Sequence, residues 1–258
     1  MNNTFVNSFI SEWLKKRHSF ASWLVLLGGV FIPFISIITF LVYPKQLLNI
    51  HASEHFWKNM FQDSWQWMAF MLLPMGVVLA VSLITQVEFR NNTWKQLHTA
   101  PIPFASIYFS KLFVLLIMML QLFVLFNIGI YLSAVMPSFF NKRIPFPHYT
   151  LDFPFFLQEN AKYFILCLPL LSLQYILSLQ FRNFLIPIGS GIALVVGGLM
   201  ALSWEYSYTL PSAYTAIHFL QSKAAVQPEH NLLLWSVGYF IGFTLLGYWM
   251  YISKKEKG

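Results

Sequence analysis

The chain has 258 residues, of which 57% are hydrophobic and 10% charged, with a mean hydropathy of +0.61 and a formal net charge of +7. Soluble domains carry about 25% charged residues, so this composition excludes a water-soluble fold and defines one integral membrane domain over 1–258. The lone Cys167 lies in an apolar run, forms no internal disulfide, makes no metal site by itself, and reads as a small buried side chain.

The leader, 1–19, places Phe5, Val6, Phe9, Ile10, Trp13 and Leu14 in adjacent pairs every four residues, with Asn7, Ser8, Ser11, Glu12, Lys15 and Lys16 between them. That spacing puts the apolar residues on one helical face and predicts an amphipathic helix lying flat in the headgroup layer.

Six apolar runs long enough to span a bilayer follow, at about 20–43, 65–87, 107–135, 163–181, 184–204 and 232–252. The fold class is therefore all-α and polytopic. Pro33 and Pro74 fall inside the first and second runs, where a membrane helix kinks without breaking. Gln121 and Asn127 in the third are expected to tie helices together. Only Arg182 and Asn183 join the fourth and fifth, which demands a tight hairpin. The fifth carries Gly189, Gly191, Gly197 and Gly198, small residues that let another backbone approach, within the subunit or at a subunit interface.

An even number of spans puts both termini on one side. Ten of the sixteen Lys/Arg residues fall on that side, which the positive-inside rule makes cytoplasmic. The basic surplus matches anionic lipid headgroups and calls for no nucleic acid. Segments 136–160 and 205–231 are then external, rich in Pro and aromatics, and suited to the membrane surface or an outer mouth.

The cytoplasmic loop 88–106 is organised. Thr93 and Gln96 form a helix-start pair, and Pro101 and Pro103 stop the helix they begin. Glu88 meets Arg90 or Lys95 at the membrane border, and Trp94 with Leu97 offers a small apolar knob to a partner groove. A short capped helix there is a mechanical contact on which another protein can push.

No phosphate-cradling G-x-x-x-x-G-K-[ST] occurs in the chain, and no G-x-S-x-G. One enzyme-like pattern does. His51-Ala-Ser-Glu54-His55 matches H-x-x-E-H, in which two imidazoles a helical turn apart hold zinc and the glutamate acts as base. The motif supplies no third ligand. A membrane zinc peptidase is one rival reading, and a non-transporting scaffold or sensor is another.

The stretch Glu88-Phe-Arg-Asn-Asn-Thr-Trp-Lys-Gln-Leu97, then Ala100-Pro-Ile-Pro103, then Ser110-Lys111, resembles the E-x(3–4)-[TW]-[WL]-K-x-L…P…K segment of bacterial ABC transporter permeases of the type-two exporter class. The leader Glu12-Trp-Leu-Lys-Lys-Arg17 and Phe31-Ile-Pro33 resemble it too, most of all the lantibiotic-immunity and bacitracin-resistance-like subgroup. The resemblance implies a coupling helix carrying Glu88, Arg90, Thr93, Trp94, Lys95 and Leu97, and a connecting helix at the leader. It also implies a cytoplasmic ATP-binding subunit that holds ATP and Mg, a second permease chain, no cofactor or catalytic residue here, and residence in the bacterial inner membrane with both termini cytoplasmic. Lys111 is expected to snorkel to the cytoplasmic interface. The cargo expected is amphipathic: antimicrobial peptides, drugs or lipids.

Overall fold

The computed structural model describes residues 2–17, 19–51, 53, 55–90, 102–142, 144–147, 150–181, 183–224 and 230–253. These are helical almost throughout and contain no strand. Helix α1 spans Asn2–Arg17 and α2 spans Phe20–Val42. A short α3, Pro44–His51, leads to α4, Phe56–Trp67, which passes through a wide π turn, Met68–Leu72, into α5, Leu73–Arg90. Then come α6 (Phe104–Phe140), α7 (Phe153–Gln180), α8 (Leu185–Met200), α9 (Tyr214–Ala224) and α10 (Leu232–Ser253).

Six of these helices are long and apolar enough to cross a membrane, with α4 and α5 acting as one continuous span over Phe56–Val87. That span and α7 are the most enclosed, while α2, α8 and α10 turn most of their surface outward. Helix α2 lies along α6, α10 along α7, and α5 touches α2, α7 and α8. An apolar surface this large on the outside is what a bilayer solvent permits.

Three helices run further than their hydropathy suggests. The second span begins at Phe56 rather than near residue 65. Lys58 and Asp63 dilute its hydropathy, yet Phe56, Trp57, Met60, Phe61, Ser64 and Trp65 are buried at a helical period. Helix α6 continues past Pro137 to Phe140. Helix α7 begins at Phe153, capped by Asp152, whose side chain accepts from Phe155 N–H at 3.2 Å, with Pro154 in the first turn. The connection between α6 and α7 therefore contracts to 141–152, and it drives Ile144 into the core. Segment 205–231 is not a plain loop either, since tight turns at Ser207–Thr209 and Pro211–Ala213 deliver α9 against α7 and the π turn.

Both span prolines have a visible consequence. Pro33 packs against α6 at Gly129, where an added Cβ would stand 2.5 Å from the proline ring. Pro74 lacks an N–H and crowds the carbonyl a turn earlier, and the chain widens into the π turn before it. Thr215 of α9 donates to Ala69 O in that turn at 2.7 Å.

Polar ties cross the apolar interior. Asn127 of α6 and Asn160 of α7 exchange two hydrogen bonds of 2.8 Å. Gln174 of α7 donates to Ser82 Oγ of α5 at 2.8 Å and to Pro187 O of α8 at 2.7 Å. At the end of the bundle away from α1, Glu159 takes Lys162 Nζ at 2.7 Å on one oxygen and faces His218 Nε2 of α9 at 3.0 Å on the other. Tyr163 sits beneath, stacked on Trp65 with ring centres 3.7 Å apart. In hydrocarbon an unpaired polar group has no water to fall back on, so such pairs fix which helices are neighbours.

A candidate coupling site between the leader helix and the third span

Helix α1 is amphipathic in a membrane sense. Its apolar residues Val6, Ile10 and Leu14 face outward, while Ser8, Glu12 and Lys16, one turn apart in succession, are buried against the bundle. A helix docked on a soluble core would do the reverse. Its neighbour is the first half of α6.

The anchor is Glu12. One carboxylate oxygen receives Lys15 Nζ at 2.5 Å, and the other lies 3.0 Å from Lys111 Nζ in the second turn of α6. The side chains of Glu12 and Lys111 are 5% and 2% exposed, so the cross-helix pair is desolvated. Lys111 does not snorkel to water as its sequence position suggests. It is held inside by Glu12, because a carboxylate at 3.0 Å offsets the lost hydration where an aliphatic stem alone could not. A second tie runs from Lys16 Nζ to Gln121 Oε1 of α6, with the same ammonium 3.9 Å above the Trp13 ring. Burial pulls the Lys16 pKa below its ordinary value.

The corner after α1 is also locked. Ser19 and Ser22 hydroxyls both donate to Lys16 O, at 2.8 and 2.7 Å, which satisfies a carbonyl the helix end would otherwise leave open. On the opposite side, α6 is pinned by hydroxyls: Tyr108 donates to Thr244 O of α10 at 3.1 Å, and Tyr175 of α7 donates to Tyr108 O at 3.0 Å. Pro103 caps α6, and Ile102, Ile107 and Ser110 share one crevice with Ser8, Ser11 and Glu12 of α1. These contacts join α1 and the first turns of α6 into one clamped body.

Of the residues singled out from sequence, Thr93, Trp94, Lys95 and Leu97 lie outside the described residues. Glu88 and Arg90 belong to the final turn of α5. Near that end, Gln86 Nε2 donates to Phe181 O at 3.2 Å and ties α5 to the end of α7. The four glycines of α8 divide into two faces. An added Cβ at Gly191 would stand 2.5 Å from Gln174 Oε1, and one at Gly198 would strike Ser212. At Gly189 and Gly197 it would meet nothing within 4 Å.

His51 closes α3 and His55 precedes α4, so the two imidazoles flank a helix break instead of sharing one helical face. Glu54 lies outside the described residues. Among the described residues no group of three or more His, Cys, Asp or Glu side chains could hold a metal ion.

Sequence reasoning missed the Glu12–Lys111 pair. Each residue had a bland local reading, and the signal was joint: an acid on the polar face of a membrane-surface helix and a lysine eight residues past Pro103.

The profile of the family described as ABC-2 family transporter protein matches residues 8–198, which begins in α1 and ends in α8. No curated protein and no solved structure matches the chain.

Proposed function

Because the chain belongs to the ABC-2 family of transporter proteins, we propose that it is the permease subunit of an ATP-driven exporter. The family match over 8–198 carries this reading, and it implies association with an ABC ATP-binding subunit. ATP and Mg are bound by that partner, and this chain supplies the membrane path. The exporter sits in the bacterial cell membrane with both termini cytoplasmic, a topology that the distribution of Lys and Arg supports. Segment 88–106 then docks on the ATP-binding subunit through Trp94 and Leu97, with Glu88, Arg90, Thr93 and Lys95 orienting it. The Glu12–Lys111 clamp supports the mechanism, since it joins the leader helix to the element the loop feeds.

A second permease chain, identical or paralogous, completes the unit. The outward stripe of Gly189, Ala193 and Gly197 on α8 supports this, because small exposed residues let two helices approach closely. The cargo is amphipathic, in the manner of the lantibiotic-immunity and bacitracin-resistance-like permeases. Antimicrobial peptides fit it first, then drugs and lipids.

The test is purification of the tagged protein from native membranes in mild detergent, with mass spectrometry of what accompanies it. An ATP-binding subunit should co-purify and be lost in the Trp94→Asp/Leu97→Asp variant. Its absence from an otherwise intact membrane complex would overturn the reading and advance the scaffold alternative.

A further inference from the structure

A lateral cleft of about 750 Å³ opens between α2, α3 and α4, toward the end of the bundle remote from α1. Its chemistry is graded. Phe31, Ile35 and Met71 form one end, all exposed on the outside of the bundle where lipid would lie. Thr39, Gln46, Asn49 and Asp63 form the other. Phe31 and Thr39 are eight residues apart on α2, so the gradient runs over about 12 Å at the helical rise.

Asp63 lies on α4 in the wall of this cleft, and its side chain, like those of Gln46 and Asn49, is exposed. Among the described residues it makes no hydrogen bond and no ion pair. Lys223 of α9 attracts it from beyond ion-pair range and does not line the cleft. The side-chain amides of Gln46 and Asn49 make no hydrogen bond among the described residues either. A charge that borders an apolar cavity selects the charge of what the cavity takes. An anionic amphiphile would meet Asp63 as a like charge, and a hydrocarbon would leave the carboxylate and both amides without partners. The complement of this wall is a cation with an apolar body.

We propose that the cleft binds amphiphiles with a cationic head, and that Asp63 selects their charge. The inference rests on the permease reading for its meaning as a cargo site. Binding itself needs no ATP-binding subunit, so a failure here and a failure of co-purification are separate results.

The experiment measures tetraphenylphosphonium binding to the purified chain in phosphatidylglycerol/phosphatidylcholine nanodiscs, with empty discs subtracted. Tetraphenylborate is the anion of matching shape. The expected result is saturable binding of tetraphenylphosphonium and, in a separate sample, none of tetraphenylborate. Asp63→Asn should weaken it about tenfold, or 1.4 kcal/mol, Asp63→Glu should retain it, and Lys223→Gln, by removing a competing attraction, should tighten it. Uptake no greater than in empty discs overturns the proposal. So does equal binding of tetraphenylborate measured alone, or an affinity unchanged in both Asp63→Asn and Lys223→Gln. Should Asp63→Asn fail to fold, Lys223→Gln alone decides by the direction of its shift. Phosphatidylethanolamine added to the discs then separates the sources of the cationic head. Competition identifies a resident amine-headed lipid, and its absence identifies a free lipophilic cation.

Discussion

Two glutamates hold two ionic clamps at opposite ends of the bundle, and they are built alike. Glu12 takes a lysine three residues on and a second cation from another helix, and so does Glu159. The distant partners differ. Lys111 is a lysine 2% exposed, whereas His218 is a histidine 16% exposed that carries charge only when protonated. The clamp at the leader helix is thus a fixed joint, enclosed where salt screens little. The clamp at α9 is wetter and conditional. In the exporter proposed above, the end that receives force is the one that must not slip, and the end that faces outside is the one that can yield.

The comparison breaks first at Lys111. Lys111→Met should leave Glu12 buried with only Lys15 and cost about 3–5 kcal/mol of stability, read as a lower unfolding midpoint of the purified protein in detergent. Adding Glu12→Gln should restore much of that loss, because the uncompensated buried carboxylate is gone. Were the two single variants to add in full instead, the pair would not be a coupled unit. Between the clamps, Gly191→Ala forces a methyl against Gln174 and Val78 and should cost about 1–3 kcal/mol. Gly189→Ala, which meets open space, should be neutral or slightly stabilising in the isolated chain. At the other clamp, Glu159→Gln should cost about 1.5 kcal/mol, the scale of a charged hydrogen bond partly open to water. A loss there equal to that of Lys111→Met would erase the distinction between the joints. The smallest effect belongs to Thr215→Val, which removes the bond to Ala69 O and should cost about 1 kcal/mol. Hydrogen exchange at the π turn would localise it.

The sequence made the spans legible because each buries or exposes nearly twenty apolar residues in a row, a signal that outweighs any local ambiguity. The short connection from Gln180 to Leu185 and the tying role of Asn127 followed from length and polarity alone. What stayed hidden were the helical extensions at Phe56, Phe140 and Phe153. There, charged residues or prolines lower the hydropathy, while the buried aromatic side chains beside them hold the helix to the bundle. Glu159 reads as a loop residue until His218, almost sixty positions away, is seen beside it. The Glu12–Lys111 pair was illegible for the same reason, since pairing across a hundred residues leaves no local trace.

The π turn at Met68–Leu72 has a practical consequence for mapping this protein. A turn that holds one extra residue advances the helix by about 100° of rotation, so Phe61 and Trp65 before it and Val77 and Val81 after it can point to the same interior. A cysteine-accessibility or tryptophan scan along 56–87, fitted with a single periodicity, would assign one half of this span to the wrong environment. The labelling pattern has to be phased twice, once on each side of residue 70, and a one-residue deletion inside the turn should restore an unbroken α-helix whose whole length a single periodicity fits.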